Sequence, residues 1–136
     1  VALDVPEAGR RLADKYWPGP LTLVLTAAAG VSVLVTAGTG TVGVRVPDHP
    51  VALALLRKLG SPIVATSANL SGESPPRTAQ EAVDSIGNHV SVVLDAGECG
   101  IGVVSTVVDV TAAVPRVLRE GAIPLAAIRE VVGETR

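Results

Sequence analysis

The triplet Pro18-Gly19-Pro20 divides the start of this chain from everything after it. Proline cannot continue a helix, and glycine between two prolines offers nothing to rebuild one, so a helix running into this triplet ends there. Before it, Glu7 to Trp17 reads as a helix, with Leu12 and Tyr16 on one face and Arg10, Arg11 and Asp14 largely elsewhere. After it, the apolar residues gather in short runs of β-branched and aliphatic type, and buried strands are expected.

Leu21 to Thr26 is the first strand candidate; Val31 to Val35 fits a strand or a helix equally. Thr41 to Val46 is a strand closed by Pro47. His49-Pro50 opens a helix through Leu59, with Asp48 available as a cap and Gly60 as terminator. Ile63 to Thr66 reads as a short buried strand, followed by a Ser/Gly/Pro-rich loop from Ser67 to Arg77. Thr78 with Glu81 forms a capping-box pattern for a helix ending at Gly87. Val90 to Asp95 and Ser105 to Val110 are expected strands, Pro115 to Arg119 is a third candidate, and Pro124 to Val132 is the last helix. Strands interleaved with helices in one repeat-free stretch predict a single α/β or α+β domain.

Several classes of function fall away on composition. The formal charge is -2 and Lys and Arg form no run, so RNA held by its phosphates is disfavoured as the main ligand. No apolar stretch is long enough to span a membrane, and Val1 to Pro6 lacks a basic-then-apolar signal pattern. Cys99 is the only cysteine, which excludes an intramolecular disulfide, and a cytoplasmic location is the simplest expectation. His49, His89 and Cys99 lack ligand spacing, so no metal site is expected. There is no G-x-S-x-G elbow. Gly38-Thr39-Gly40-Thr41-Val42-Gly43 matches a dinucleotide fingerprint in letters, but a strand follows it where the mechanism needs a helix, and an acid ~20 residues on is missing. A glycine-rich turn is the expected structure.

Alternation makes the Thr41 to Val46 strand informative: Val42, Val44 and Val46 share one face, and Thr41, Gly43 and Arg45 the other. A glycine between a hydroxyl and a guanidinium leaves room for an anion, which Arg binds bidentately. On composition alone, a half-solvated strand with an exposed Arg is the favoured alternative. Ile63 to Gly72 runs from an apolar strand into a polar loop, where Ala65 and Ser67 would project to one side if the strand continued; an ordinary Ser/Asn turn is the other reading. Ser105-Thr106-Val107-Val108-Asp109 follows the glycine-rich loop Gly97 to Gly102, and Arg119 closes the next apolar run. Together these suggest a cavity lined by hydroxyls and two arginines, suited to a phosphorylated or carboxylated small molecule.

Five motifs in order, Lys15-Tyr16-Trp17-Pro18-Gly19-Pro20-Leu21-Thr22, Thr41-Val42-Gly43-Val44-Arg45-Val46-Pro47, Ser67-Ala68-Asn69-Leu70-Ser71-Gly72, Ser105-Thr106-Val107-Val108-Asp109 and Arg116 to Ile123, make the chain resemble the YrdC/Sua5 family over nearly its whole length. The resemblance implies a twisted mixed α/β (α+β) sheet with flanking helices and an open cavity. It implies a nucleotidyltransferase that makes L-threonylcarbamoyl-AMP and pyrophosphate from L-threonine, bicarbonate and ATP, with Mg²⁺ accompanying the ATP. The product would pass to a tRNA threonylcarbamoyl transferase for N6-threonylcarbamoyladenosine formation, with weak tRNA or RNA contact and no membrane. By motif, Thr41, Ser67, Asn69, Pro75 (through its backbone) and Arg119 would bind ATP. Arg45, Ala65 and Ser105 would bind threonine.

Two departures accompany the resemblance. Val104 stands where the family usually has an acid before its Ser-Thr pair. Residues 1–136, which open on Val1, would be a YrdC-like domain without its N-terminal part, the family's Lys-x-Arg region having no counterpart here. Two other readings compete: the carbamoyl-adenylate-forming domain of a hydrogenase-maturation carbamoyltransferase, and a non-catalytic RNA-binding module.

Overall fold

The computed structural model describes residues 1–99 and 103–136. They divide into two compact units, one of Val1–Pro62 with Val103–Arg136 and the other of Ile63–Gly102.

The first unit is built on a four-stranded mixed sheet. Its strands are β1 (Leu21–Thr26), β2 (Thr41–Val44), β3 (Thr106–Asp109) and β4 (Arg116–Arg119), in the order β2-β1-β3-β4. β1 runs antiparallel to β2 and parallel to β3, and β4 returns antiparallel to β3 with an irregularity between Val107 and Val108. Helix α1 (Glu7–Tyr16) precedes β1, as the proline triplet predicts, and α5 (Leu125–Val132) follows β4. The segment Val31–Val35, open between strand and helix, resolves as the one-turn helix α2 (Val33–Thr36), capped by the Ser32 side chain.

Register fixes which side of the sheet is dry. Leu25 pairs with Val42 and Leu23 with Val44 across β1 and β2, and Leu21 and Leu23 stand beside Thr106 and Val108 of β3. These side chains meet Leu12 of α1 and Ile128 and Val131 of α5 in the core, where Leu12, Leu21, Leu23, Val108 and Ile128 are fully buried. Each fully buried aliphatic contributes about 1.5–3 kcal/mol, so this helix-covered face holds the unit together. The opposite face carries Thr22, Val24 and Thr26 of β1 with Thr41 and Gly43 of β2, all partly or fully exposed apart from the strand ladder itself. It is the open side of the sheet.

Helix α3 (Pro50–Leu59) starts and stops as expected, with Pro50 at its first position and Gly60 at φ 65. Its N-cap is His49, and neither His49 nor Asp48 supplies a side-chain capping bond. Strand β2 ends at Val44 rather than Val46, and β3 covers only the centre of the expected Ser105–Val110.

The second unit contains α4 (Ala79–Ile86) and a short 3-10 turn, Gly87–His89. Thr78 caps α4 by accepting from Glu81 N at 3.1 Å, and the Glu81 carboxylate reaches back to Arg77 N at 2.7 Å, one residue earlier than a reciprocal capping box requires. The strands expected at Ile63–Thr66 and Val90–Asp95 are irregular segments. Backbone groups enter a strand only with a neighbouring strand to bond, and among the described residues neither segment has one. Their apolar side chains stand in solvent: Val64 is 76% exposed and Val92 74%. The expected Gly97–Gly102 loop lies partly outside the described residues.

Candidate functional site

On the open face of the first unit, four of the residues singled out from the sequence lie along neighbouring strands. Thr41 opens β2 opposite Thr26, and Gly43 pairs with Val24. A Cβ on Gly43 would sit 3.4 Å from the Thr22 methyl, so the space above this glycine borders Thr22. The turn before β2 is the glycine-rich run: Ala37, Gly38 and Gly40 all have positive φ, at 49, 75 and 71. Left-handed backbone of this kind makes a turn rather than a helix start, which removes the dinucleotide reading. Thr39 finishes the turn by donating to Thr36 O at 2.6 Å and sharing a 2.9 Å hydrogen bond with the Thr41 hydroxyl.

Arg45 leaves the end of β2 and is oriented by the proline triplet. Its Nε donates to Gly19 O at 2.9 Å, while Gly19 N donates to Val46 O at 2.9 Å. Gly19 is buried, and a side chain there would run into the Tyr16 carbonyl. Trp17 adds a brace from Nε1 to Leu21 O at 2.8 Å. Arg45 therefore commits its inner nitrogen to the scaffold, and its two terminal nitrogens take no partner among the described residues.

Ser105 sits at the mouth of β3, buried but for 8%. Its hydroxyl lies 2.9 Å from Thr22 Oγ1 and accepts from Arg119 Nη2 at 3.2 Å. Arg119 also donates to the Ser105 carbonyl through Nε and Nη2, at 3.1 and 2.9 Å. The turn after Arg119 is pinned from below by Thr106, whose hydroxyl accepts from Gly121 N and Ile123 N and donates to Ile123 O. Gly121 must be glycine here, because a Cβ would overlap the Val104 oxygen and the Ser105 carbonyl. Thr41, Arg45, Arg119 and the largely buried Ser105 thus belong to the open side of the sheet, which holds two guanidinium groups and a row of hydroxyls. That arrangement suits anions: it offers only N–H and O–H donors besides lone pairs on small hydroxyls.

The remaining four lie in the second unit. Ala65, Ser67 and Pro75 are exposed on irregular backbone, so the alternation proposed for Ala65 and Ser67 has no strand beneath it. Asn69 is half-buried and ties its loop, Nδ2 donating to Leu70 O at 2.8 Å and Glu73 O at 3.0 Å. Its Oδ1 is buried without a partner among the described residues. Ser85 and Glu73 extend the tie, the Ser85 hydroxyl accepting from Leu70 N and donating to Glu73 Oε2.

Sequence reasoning missed two participants, Thr22 and Gly19. Both are inside the first motif, but Thr22 joins the site only through the β1–β3 register, and Gly19 only through a contact 26 residues along the chain. The alternation Leu21, Thr22, Leu23 was a usable signal for Thr22.

Comparison with known proteins shows what the chain as a whole is similar to. The Sua5/YciO/YrdC family profile, described as telomere recombination, matches residues 1–121. The threonylcarbamoyl-AMP synthase of Pyrococcus abyssi is 43% identical over 136 residues, which is the whole of this chain and 40% of that protein. The enzyme of the same name from Bacillus subtilis is 43% identical over 129 residues, covering 94% of this chain and 37% of its own length. The chain thus spans less than half of these relatives. Among solved structures, P. abyssi Sua5 complexed with L-threonine superposes with a TM-score of 0.94 over the full chain and 40% of the solved one. Escherichia coli YciO, at 33% identity, gives 0.77 over 87% of this chain and 58% of its own. The chain belongs to the Sua5/YciO/YrdC family.

Proposed function

We propose that this chain contributes the threonine- and nucleotide-handling surface of an L-threonylcarbamoyladenylate synthase. The observation that carries the reading is the open sheet face, which bears the Thr22–Ser105 hydroxyl pair and, at the end of β2, Arg45, whose terminal nitrogens have no partner among the described residues. Support comes from the curated relatives, which are named threonylcarbamoyl-AMP synthases, and from the P. abyssi relative complexed with L-threonine. Neither the carbamoyltransferase nor the RNA-binding alternative draws support from those names.

In this reading the threonine amine takes up bicarbonate with loss of water to give a carbamate. A carbamate oxygen attacks the α-phosphorus of ATP, and pyrophosphate leaves. No protein nucleophile is needed; the chain positions reactants and stabilises charge. Arg45 binds the threonine carboxylate through its terminal nitrogens, with Ser105 beside the amino acid; Ala65 is assigned to threonine by its family motif alone. Arg119 meets the phosphates, its Nη1 being the nitrogen not committed to Ser105. The family motifs assign Thr41 and Ser67 to ATP and Pro75 to the nucleotide through its backbone, and Asn69, tied to Leu70 O and Glu73 O, serves the nucleotide by ordering its loop. Mg²⁺ accompanying the ATP would offset part of the phosphate charge; among the described residues no three His, Cys, Asp or Glu side chains converge to hold it. The adenylate then serves a tRNA threonylcarbamoyl transferase in the cytoplasm, with only weak RNA contact from this chain at net charge -2.

The test is pyrophosphate release by the full-length protein with ATP, L-threonine and bicarbonate, and detection of threonylcarbamoyl-AMP by mass spectrometry. Release is expected only when all three are present. Release that is indifferent to threonine would overturn the reading.

A further inference from the structure

We propose that Thr22 is a positioning residue for the amino-acid substrate, acting through Ser105; the proposal rests on the threonine reading of this face. Proton bookkeeping at Ser105 carries it. The Ser105 hydroxyl has one proton and two lone pairs. Arg119 Nη2 can only donate, so it occupies one lone pair at 3.2 Å. Thr22 Oγ1, 2.9 Å away, takes either the second lone pair or the proton.

If Thr22 donates, both lone pairs of Ser105 are filled and its proton is available to a substrate oxygen. If Ser105 donates, its second lone pair stays open to a substrate N–H. Turning the pair over therefore reverses the polarity that Ser105 presents. A lone serine held by Arg119 would keep its hydroxyl proton on an unfixed rotor. The pair fixes that rotor in one of two states, and an amino acid presenting both carboxylate and amine finds a matching state.

The placement of Thr22 supports this role over a packing one. Leu21 and Leu23 on either side of it are fully buried in the core, while Thr22 lies on the opposite face, half-buried. Its methyl borders the open space above Gly43, so the side chain lies between that space and Ser105.

The experiment uses four forms of the full-length protein: wild type, Thr22→Val, Thr22→Ser and Ser105→Ala, with the double variant Thr22→Val/Ser105→Ala closing the cycle. Threonine and ATP affinities are measured by calorimetry. Losing one neutral hydrogen bond predicts threonine binding about 3- to 10-fold weaker in Thr22→Val, ATP affinity unchanged, and recovery in Thr22→Ser. The effect of Thr22→Val should vanish in the Ser105→Ala background, because the effect is transmitted by Ser105. Undiminished threonine binding in Thr22→Val, an equal effect in both backgrounds, or equal loss of ATP and threonine without recovery by serine each overturns the proposal. Ser105→Ala with wild-type threonine affinity instead overturns the assignment of Ser105, and the proposal with it. Should Thr22→Val fail to fold, Thr22→Ser and Thr22→Asn decide the matter: serine must bind as wild type and asparagine must lose threonine selectively.

Discussion

Arg119 holds Ser105 by backbone and side chain at once, with Nε and Nη2 on the carbonyl at 3.1 and 2.9 Å and Nη2 on the hydroxyl at 3.2 Å. A residue assigned to ATP is therefore in direct contact with one assigned to threonine. Arg119→Lys keeps a charge but loses the planar fork. ATP affinity should fall most, by about tenfold, and threonine affinity should fall by a smaller factor through the loosened Ser105. Paired titrations check the order; a larger loss for threonine would mean the two halves of the surface are exchanged.

Arg45→Ala removes the guanidinium proposed to bind the threonine carboxylate. A charge-assisted pair is worth about 1.5–3 kcal/mol, which is roughly a 10- to 100-fold loss of threonine affinity. Arg45 is exposed and its one side-chain bond among the described residues is that to Gly19 O, so thermal stability should change by no more than a few degrees. Threonine binding equal to wild type would remove Arg45 from the site.

Most of the first unit was legible because each element there carries its own punctuation. Pro18-Gly19-Pro20 bounds α1 and β1, and alternation separates the Val42 face from the Gly43 face. Arg45 and Ser105 could be named from their strands and motifs. Their supports could not: Gly19 is 26 residues from Arg45, and Thr22 is 83 from Ser105. Such pairs are set by strand register, which local pattern leaves undetermined. The apolar runs Ile63–Thr66 and Val90–Asp95 show the opposite failure. Composition gave them strand character, but a strand also needs a hydrogen-bonding neighbour.

Asn69 is expected to act through loop order. Its Nδ2 bridges Leu70 O and Glu73 O, so Asn69→Ala should speed proteolysis within 70–73 and weaken ATP binding. Asn69→Asp should be worse than alanine, since it sets carboxylate oxygens against two carbonyl oxygens. Limited proteolysis and nucleotide titration on both variants check this. Better tolerance of aspartate would mean the amide is turned the other way.

The last prediction concerns the floor beneath Arg119. Thr106 is fully buried, and its hydroxyl makes three bonds: it donates to Ile123 O at 2.7 Å and accepts from Gly121 N and Ile123 N, both at 3.0 Å. Thr106→Val keeps the shape and strands two N–H groups and a carbonyl. Each stranded buried group costs about 1–3 kcal/mol, so the variant should lose roughly 3 kcal/mol or more. Thr106→Ser keeps the hydroxyl and loses one methyl, about 1 kcal/mol. The turn from Arg119 to Ile123 rests on these bonds, so Thr106→Val should also weaken ATP binding under conditions where it remains folded. Denaturant unfolding of the two variants separates the contributions: equal destabilisation by serine and valine would show that the methyl, rather than the three hydrogen bonds, holds this turn in place.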